Sequence, residues 1–110
     1  MKYHPNYSRL KSVWADEIIQ YLEERQKSGF EIEASFYHIK HLDLYCEQIG
    51  IKEKKFTAEI ALDIKLKFSG ESGTNRYERV SETIKFLQYL KNKGYEVHIP
   101  TAISTKNIQK

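Results

Sequence analysis

The 110-residue chain has a single cysteine, Cys46, and no apolar run near the roughly 20 residues that a membrane span needs. One cysteine cannot close an internal disulfide or build a thiolate zinc site. Apolar residues surround Cys46 at helical steps, so a buried, unreactive thiol is expected. Met1-Lys2-Tyr3-His4-Pro5 lacks the apolar centre of a signal peptide, and a reducing cytoplasm is the expected compartment. A glycine-rich phosphate loop, a nucleophile elbow and a metalloprotease histidine pair are all missing. His38 and His41 stand three residues apart, and Asp43 and Cys46 are poorly spaced to join them around a metal. Glu23 and Glu24 are neighbours and point apart on a helix, which suits solvated surface better than acid–base chemistry. No catalytic residue, metal or cofactor is therefore expected of this chain. Alternating strand patterns are also nearly absent, since Glu31-Ile32-Glu33 is too short to count.

What is present suits a folded domain. Apolar residues make up 40% and charged residues 30%, too apolar for disorder. Surface scaling for this length buries roughly two-thirds of the unfolded surface, enough for a core without staples. The net charge is +3, and it is unevenly spread. Through Glu47 there are 6 basic and 8 acidic residues; from Gln48 onward there are 12 and 7. The second half carries the positive field.

Four amphipathic helices are predicted in order. The first spans about Leu10 to Lys27, with Val13, Trp14, Ile18, Tyr21 and Leu22 in one stripe and Gly29 as its stop. The second spans about Ala34 to Gln48, with His38, Ile39, Leu42, Tyr45, Cys46 and Ile49 on one face and Gly50 after it. Lys52-Glu53-Lys54-Lys55 then reads as a solvated loop. Thr57 is the expected N-cap of a third helix to about Phe68, striped by Ile60, Ala61, Ile64 and Phe68. Ser69-Gly70-Glu71-Ser72-Gly73 reads as a break. The fourth helix is expected from about Asn75 to Lys93, with Thr74 as N-cap, Gly94 as stop, a stripe of Val80, Thr83, Ile84, Leu87 and Leu90, and Phe86 at its margin. Tyr95 to Pro100 reads as extended, and residues 101–110 as a polar linker. The economical fold class is all-α, a compact bundle of four main helices.

The stretch from Thr74-Asn75-Arg76-Tyr77-Glu78-Arg79-Val80-Ser81 through Ile84-Lys85-Phe86-Leu87 to Gly94 resembles the last main helix of the SAM-like core-binding domain of tyrosine recombinases, the phage integrases. Ala34, His38, Leu42 and Tyr45 fall where that family's second helix has a Thr, an aromatic, a Leu and a Phe. Leu10 to Gly29 resembles the opening helix, and Thr57-Ala58-Glu59-Ile60 the short third one. The resemblance covers about residues 9–100, with 1–8 as an extension and 101–110 as the start of a linker. Ala34 departs from the usual Thr, and Ile84 stands where the family is often basic.

The resemblance implies a DNA-binding half-clamp. It would grip duplex DNA opposite a C-terminal catalytic domain of the same parent chain, together with other recombinase subunits, in a bacterial or phage setting and without a membrane. The expected DNA-facing residues are Thr74, Asn75, Arg76, Arg79 and Lys85 on the fourth helix, and Ser35, Tyr37, Lys40 and His41 on the second. Arginine pairs bidentately with phosphate or guanine, and a helix start offers free N–H groups. Arg76 and Arg79 could instead pair with acids as surface ions. A second reading is a helical protein-interaction module using Phe30, Phe36, Tyr37 and Tyr95 as an aromatic anchor.

Overall fold

A computed structural model describes residues 3–66, 68 and 70–103. The chain is all-α: the described residues form four α-helices, α1 (Ala15–Lys27), α2 (Glu33–Gln48), α3 (Ala58–Ile64) and α4 (Gly73–Asn92), a short 3-10 turn at Tyr7–Arg9, and one pair of two-residue strands, β1 (Lys55–Phe56) and β2 (Glu96–Val97). It divides into two compact units, Met1–Lys54 and Lys55–Lys110, where the sequence suggested one domain over 9–100. No helix among the described residues is long and apolar enough to cross a membrane.

In the first unit, α1 buries Ile18, Tyr21 and Leu22, and Trp14 just before it is 1% exposed. The helix opens later than the apolar spacing suggested, because residues 10–14 form a turn fixed from outside. The buried Asp43 carboxylate of α2 accepts the backbone N–H groups of Lys11 and Ser12, both at 2.9 Å. Ser12 Oγ in turn accepts the N–H of Trp14. Gly29 closes α1 at φ 94°, a left-handed turn in which the Phe30 N–H reaches the Arg25 carbonyl and the Gly29 N–H that of Gln26. On α2 the inward face is Phe36, Ile39, Leu42 and Cys46, joined by His38, Ser35 and Asp43. Ile49, expected on that face, follows the last turn and is 46% exposed, and Tyr45 is half-buried. The Lys52–Lys55 loop is tied down at Lys54, whose Nζ lies 2.8 Å from the mostly buried Glu17 carboxylate.

In the second unit, Thr57 caps α3 as expected, accepting the Ile60 N–H. The helix stops at Ile64, short of Phe68; Lys67 and Ser69 lie outside the described residues. Ser72, not Thr74, caps α4, with its Oγ 3.0 Å from the Asn75 N–H, so Thr74 falls inside the first turn. The buried face of α4 is Val80, Thr83, Phe86, Leu87 and Leu90; Phe86 lies fully inside and Ile84 is half-buried. Gly94, at φ 97°, ends α4 by the same pair of turn bonds as Gly29. The chain then runs into β2, which pairs in parallel with β1 (Lys55 opposite Glu96, Phe56 opposite Val97), and the His98 N–H continues to the Phe56 carbonyl. This parallel pair was not expected: two residues are too few for a period-2 pattern to register. Residues 104–110 of the expected linker lie outside the described residues.

Candidate nucleic-acid interface

The positive surplus belongs to the second unit, which has ten Lys and Arg against six Asp and Glu; the first has eight against nine. On α4 the first turn holds no acid. Thr74 and Asn75 are exposed there, and Lys85 is exposed three turns further on. At 100° per residue, Thr74, Ser81, Lys85, Gln88 and Asn92 share one outward stripe, with Glu78 as its acid. Twenty residues of helix carry that stripe over about 30 Å.

The two arginines behave differently from each other. Arg76 is half-buried, and its Nε donates to the Lys65 carbonyl at 2.6 Å. Among the described residues its two terminal nitrogens donate no hydrogen bond. Arg79, expected at the DNA face, is instead 0% exposed. Its Nε and one terminal nitrogen bind the Glu71 carboxylate at 2.7 and 3.1 Å, and its terminal nitrogens reach the carbonyls of Ile64 and Leu66. The guanidinium carbon sits 3.6 Å from the centre of the Phe68 ring. A charged group desolvated this far is held by its partners, and Arg79 is removed from the DNA-facing set. The signal was in the sequence: Arg79, Thr83, Phe86 and Leu90 lie at steps of four, three and four, all on the buried face. Glu71 was passed over as part of a polar break.

On α2, Ser35 is buried and drops out of the outward set as well. Tyr37, Lys40 and His41 do share an accessible side. Tyr37 is 47% exposed and meets His38 and His41 edge-to-face at 5.1 and 5.0 Å. The Lys40 ammonium lies 5.7 Å from the Tyr37 ring centre and 5.8 Å from that of Phe36. Leu44, one turn beyond His41, is 47% exposed and was missed, because an outward leucine interrupts the apolar period. Of the aromatics named for protein binding, Phe30 is 54% exposed, Phe36 is buried and Tyr95 is half-buried.

A cavity of about 390 Å³ opens in the first unit beside Tyr3, Gln26, Phe30, Ile32, Glu31 and Glu33. Among the described residues its lining holds no serine, cysteine or histidine. Cys46 is buried, and burial, with the Asp43 charge beside it, pushes its thiol up to about 12. Such a thiol stays protonated at neutral pH and is a poor nucleophile. Among the described residues no three His, Cys, Asp or Glu side chains gather as metal ligands. No family model, curated protein or solved structure matches the chain.

Proposed function

We propose that this chain is a duplex-DNA-binding module of the core-binding type found in tyrosine recombinases, the strand-cutting chemistry belonging to a separate catalytic domain. The observation that carries this reading is the outer side of α4. It sits on the more positive unit and presents Thr74, Asn75 and Lys85, without an acid in the first turn, while Arg76 stands half-buried in register with Val80 and Thr83 and donates to the Lys65 carbonyl. Lysine and arginine neutralise phosphates, while Thr, Asn and Gln side chains hydrogen-bond phosphate or base edges. Tyr37, Lys40 and His41 on α2 supply a second set of phosphate-seeking groups in the first unit. Arg79 and Ser35 have no part in it.

Fluorescence anisotropy of a mixed-sequence duplex of about 30 base pairs, titrated with the chain at several salt concentrations, tests this directly. The expected result is affinity that falls with salt, at a log–log slope near −0.9 per neutralised phosphate. Lys85→Glu is expected to weaken binding several-fold at low salt, the cost of losing one phosphate-seeking cation and adding a repulsion. Absence of binding near 20 mM salt would defeat the DNA reading. It would then favour a protein-binding module built on the half-exposed Phe30, Tyr37 and Leu44.

A further inference from the structure

The cavity of about 390 Å³ in the first unit lies where the end of α1 leads into the start of α2, and its walls are fixed by the chain itself. Gly29 and Phe30 form a wall that the left-handed turn holds in place, with the Phe30 N–H on the Arg25 carbonyl. Gln26 Nε2 donates to the Tyr3 carbonyl at 2.9 Å and ties Tyr3 to α1. Ile32 is 0% exposed and anchors the entry to α2. The Phe30 ring is left open to solvent, an uncommon place for so large an apolar side chain. The lining carries charge of one sign only: it includes Glu31 and Glu33, and among the described residues no Lys or Arg. Neither acid has a hydrogen bond or an ion pair among the described residues. Arg25 lies against ring faces instead, its guanidinium carbon 4.5 Å from the Phe30 ring centre and 5.6 Å from that of Tyr21.

We propose that this cavity binds a small organic ammonium ion with an aromatic body. Size is the first argument. Small-molecule sites run from about 300 to 1,000 Å³, while one water needs only about 30 Å³. The lining is the second. Tyr3, Phe30 and Ile32 supply apolar surface for a ring, and Glu31 and Glu33 supply carboxylates for a charge. An ammonium on a carboxylate forms a charge-assisted bond, about twice as strong as a neutral one. Arg25 already takes part of the Phe30 ring, so the ligand's ring, rather than its charge, packs on what remains. An anion of the same shape would meet two carboxylates and no base. The site uses none of the residues proposed to face DNA and stands independently of that reading.

Nuclear magnetic resonance on the full, ¹⁵N-labelled chain tests this with phenethylammonium as the ligand. The backbone amides of Gln26, Gly29, Phe30, Glu31 and Glu33 are expected to shift together and to saturate, with half-saturation at about 1 mM, ordinary for a ligand of this size. Phenylacetate keeps the ring and reverses the charge, and it should bind at least about tenfold more weakly. The double variant Glu31→Gln, Glu33→Gln should lose about tenfold in affinity for phenethylammonium. Both residues are exposed, so the core is spared. Phe30→Ala, also at an exposed position, should lose about three- to tenfold.

Shifts that fail to saturate by about 20 mM, or that fall outside the cavity, overturn the proposal. Equal binding of phenylacetate overturns it too, since the carboxylates would then play no part. So does full affinity in the double glutamine variant. A last arm uses N-acetyl-lysine methylamide, which carries an ammonium on an aliphatic stem within a peptide-like frame. It is expected to bind several-fold more weakly than phenethylammonium, because it has no ring to place on Phe30. Tighter binding of the lysine compound overturns the aromatic-amine assignment and gives the cavity to a basic side chain of a protein partner.

Discussion

The Cys46 thiol has 0% exposure, and burial, with the Asp43 charge second, moves its pKa from 9.0 up to about 12. The native chain therefore holds this proton more tightly than the unfolded chain does. Its contribution to stability is complete below pH 9 and is lost as pH rises from about 9 to 12, at up to about 1.4 kcal/mol per pH unit. Cys46→Ala has no such proton. Urea midpoints at pH 8 and pH 11 should show the wild type losing more stability than Cys46→Ala; equal losses would assign the effect to other groups. Arg79 teaches the same lesson at a residue whose type misleads. Arginine reads as a surface cation in a sequence, yet a carboxylate and two helix-end carbonyls make full burial tolerable here. Residue type alone could not distinguish Arg76 from Arg79. Both stand in phase with Val80 and Thr83; the Glu71 carboxylate on Arg79 is what sets them apart.

Caps decide where the elements begin, and they are short-range enough to test singly. Ser72 accepts the Asn75 N–H, so Ser72→Ala should cost about 1 kcal/mol of stability. Thr74 is exposed within the first turn, and Thr74→Ala should stay within about 0.5 kcal/mol. Paired denaturation curves in urea check the contrast; equal costs would return the cap to Thr74. The four helices themselves were legible because each sets apolar residues at steps of three and four, and because Gly29, Gly50 and Gly94 mark their ends. Two of the misplaced boundaries, the start of α1 and the end of α3, share one cause. At the start of α1 the Lys11 and Ser12 amides are held by Asp43, 31 and 32 residues away. At the end of α3 the carbonyls are held by Arg76 and Arg79, 11 to 15 residues away. A boundary set by distant partners leaves no local pattern to read. The β1–β2 pair, formed by residues about 40 positions apart in sequence, escaped for the same reason.

Charge is partitioned along the whole molecule, and the partition was readable before any fold was known. It put the positive surplus on the second half and said nothing of which cations face outward. Exposure does: Lys85 is exposed on α4 in the second unit, and Lys52 is exposed in the loop of the first. Changing either lysine to glutamate alters the net charge by the same amount and spares the core, so stability should stay within about 0.5 kcal/mol in both. DNA binding should not treat them alike. Lys85→Glu removes a cation from the proposed face, so affinity should drop several-fold and the salt slope should flatten by about 0.9. Lys52→Glu, outside the proposed DNA-facing residues, should change affinity by less than about twofold and leave the slope alone. Anisotropy titrations of the two variants beside the wild type, at matched salt, make the comparison. Equal losses would mean that the duplex responds to net charge alone, and α4 would lose its claim to a defined binding face.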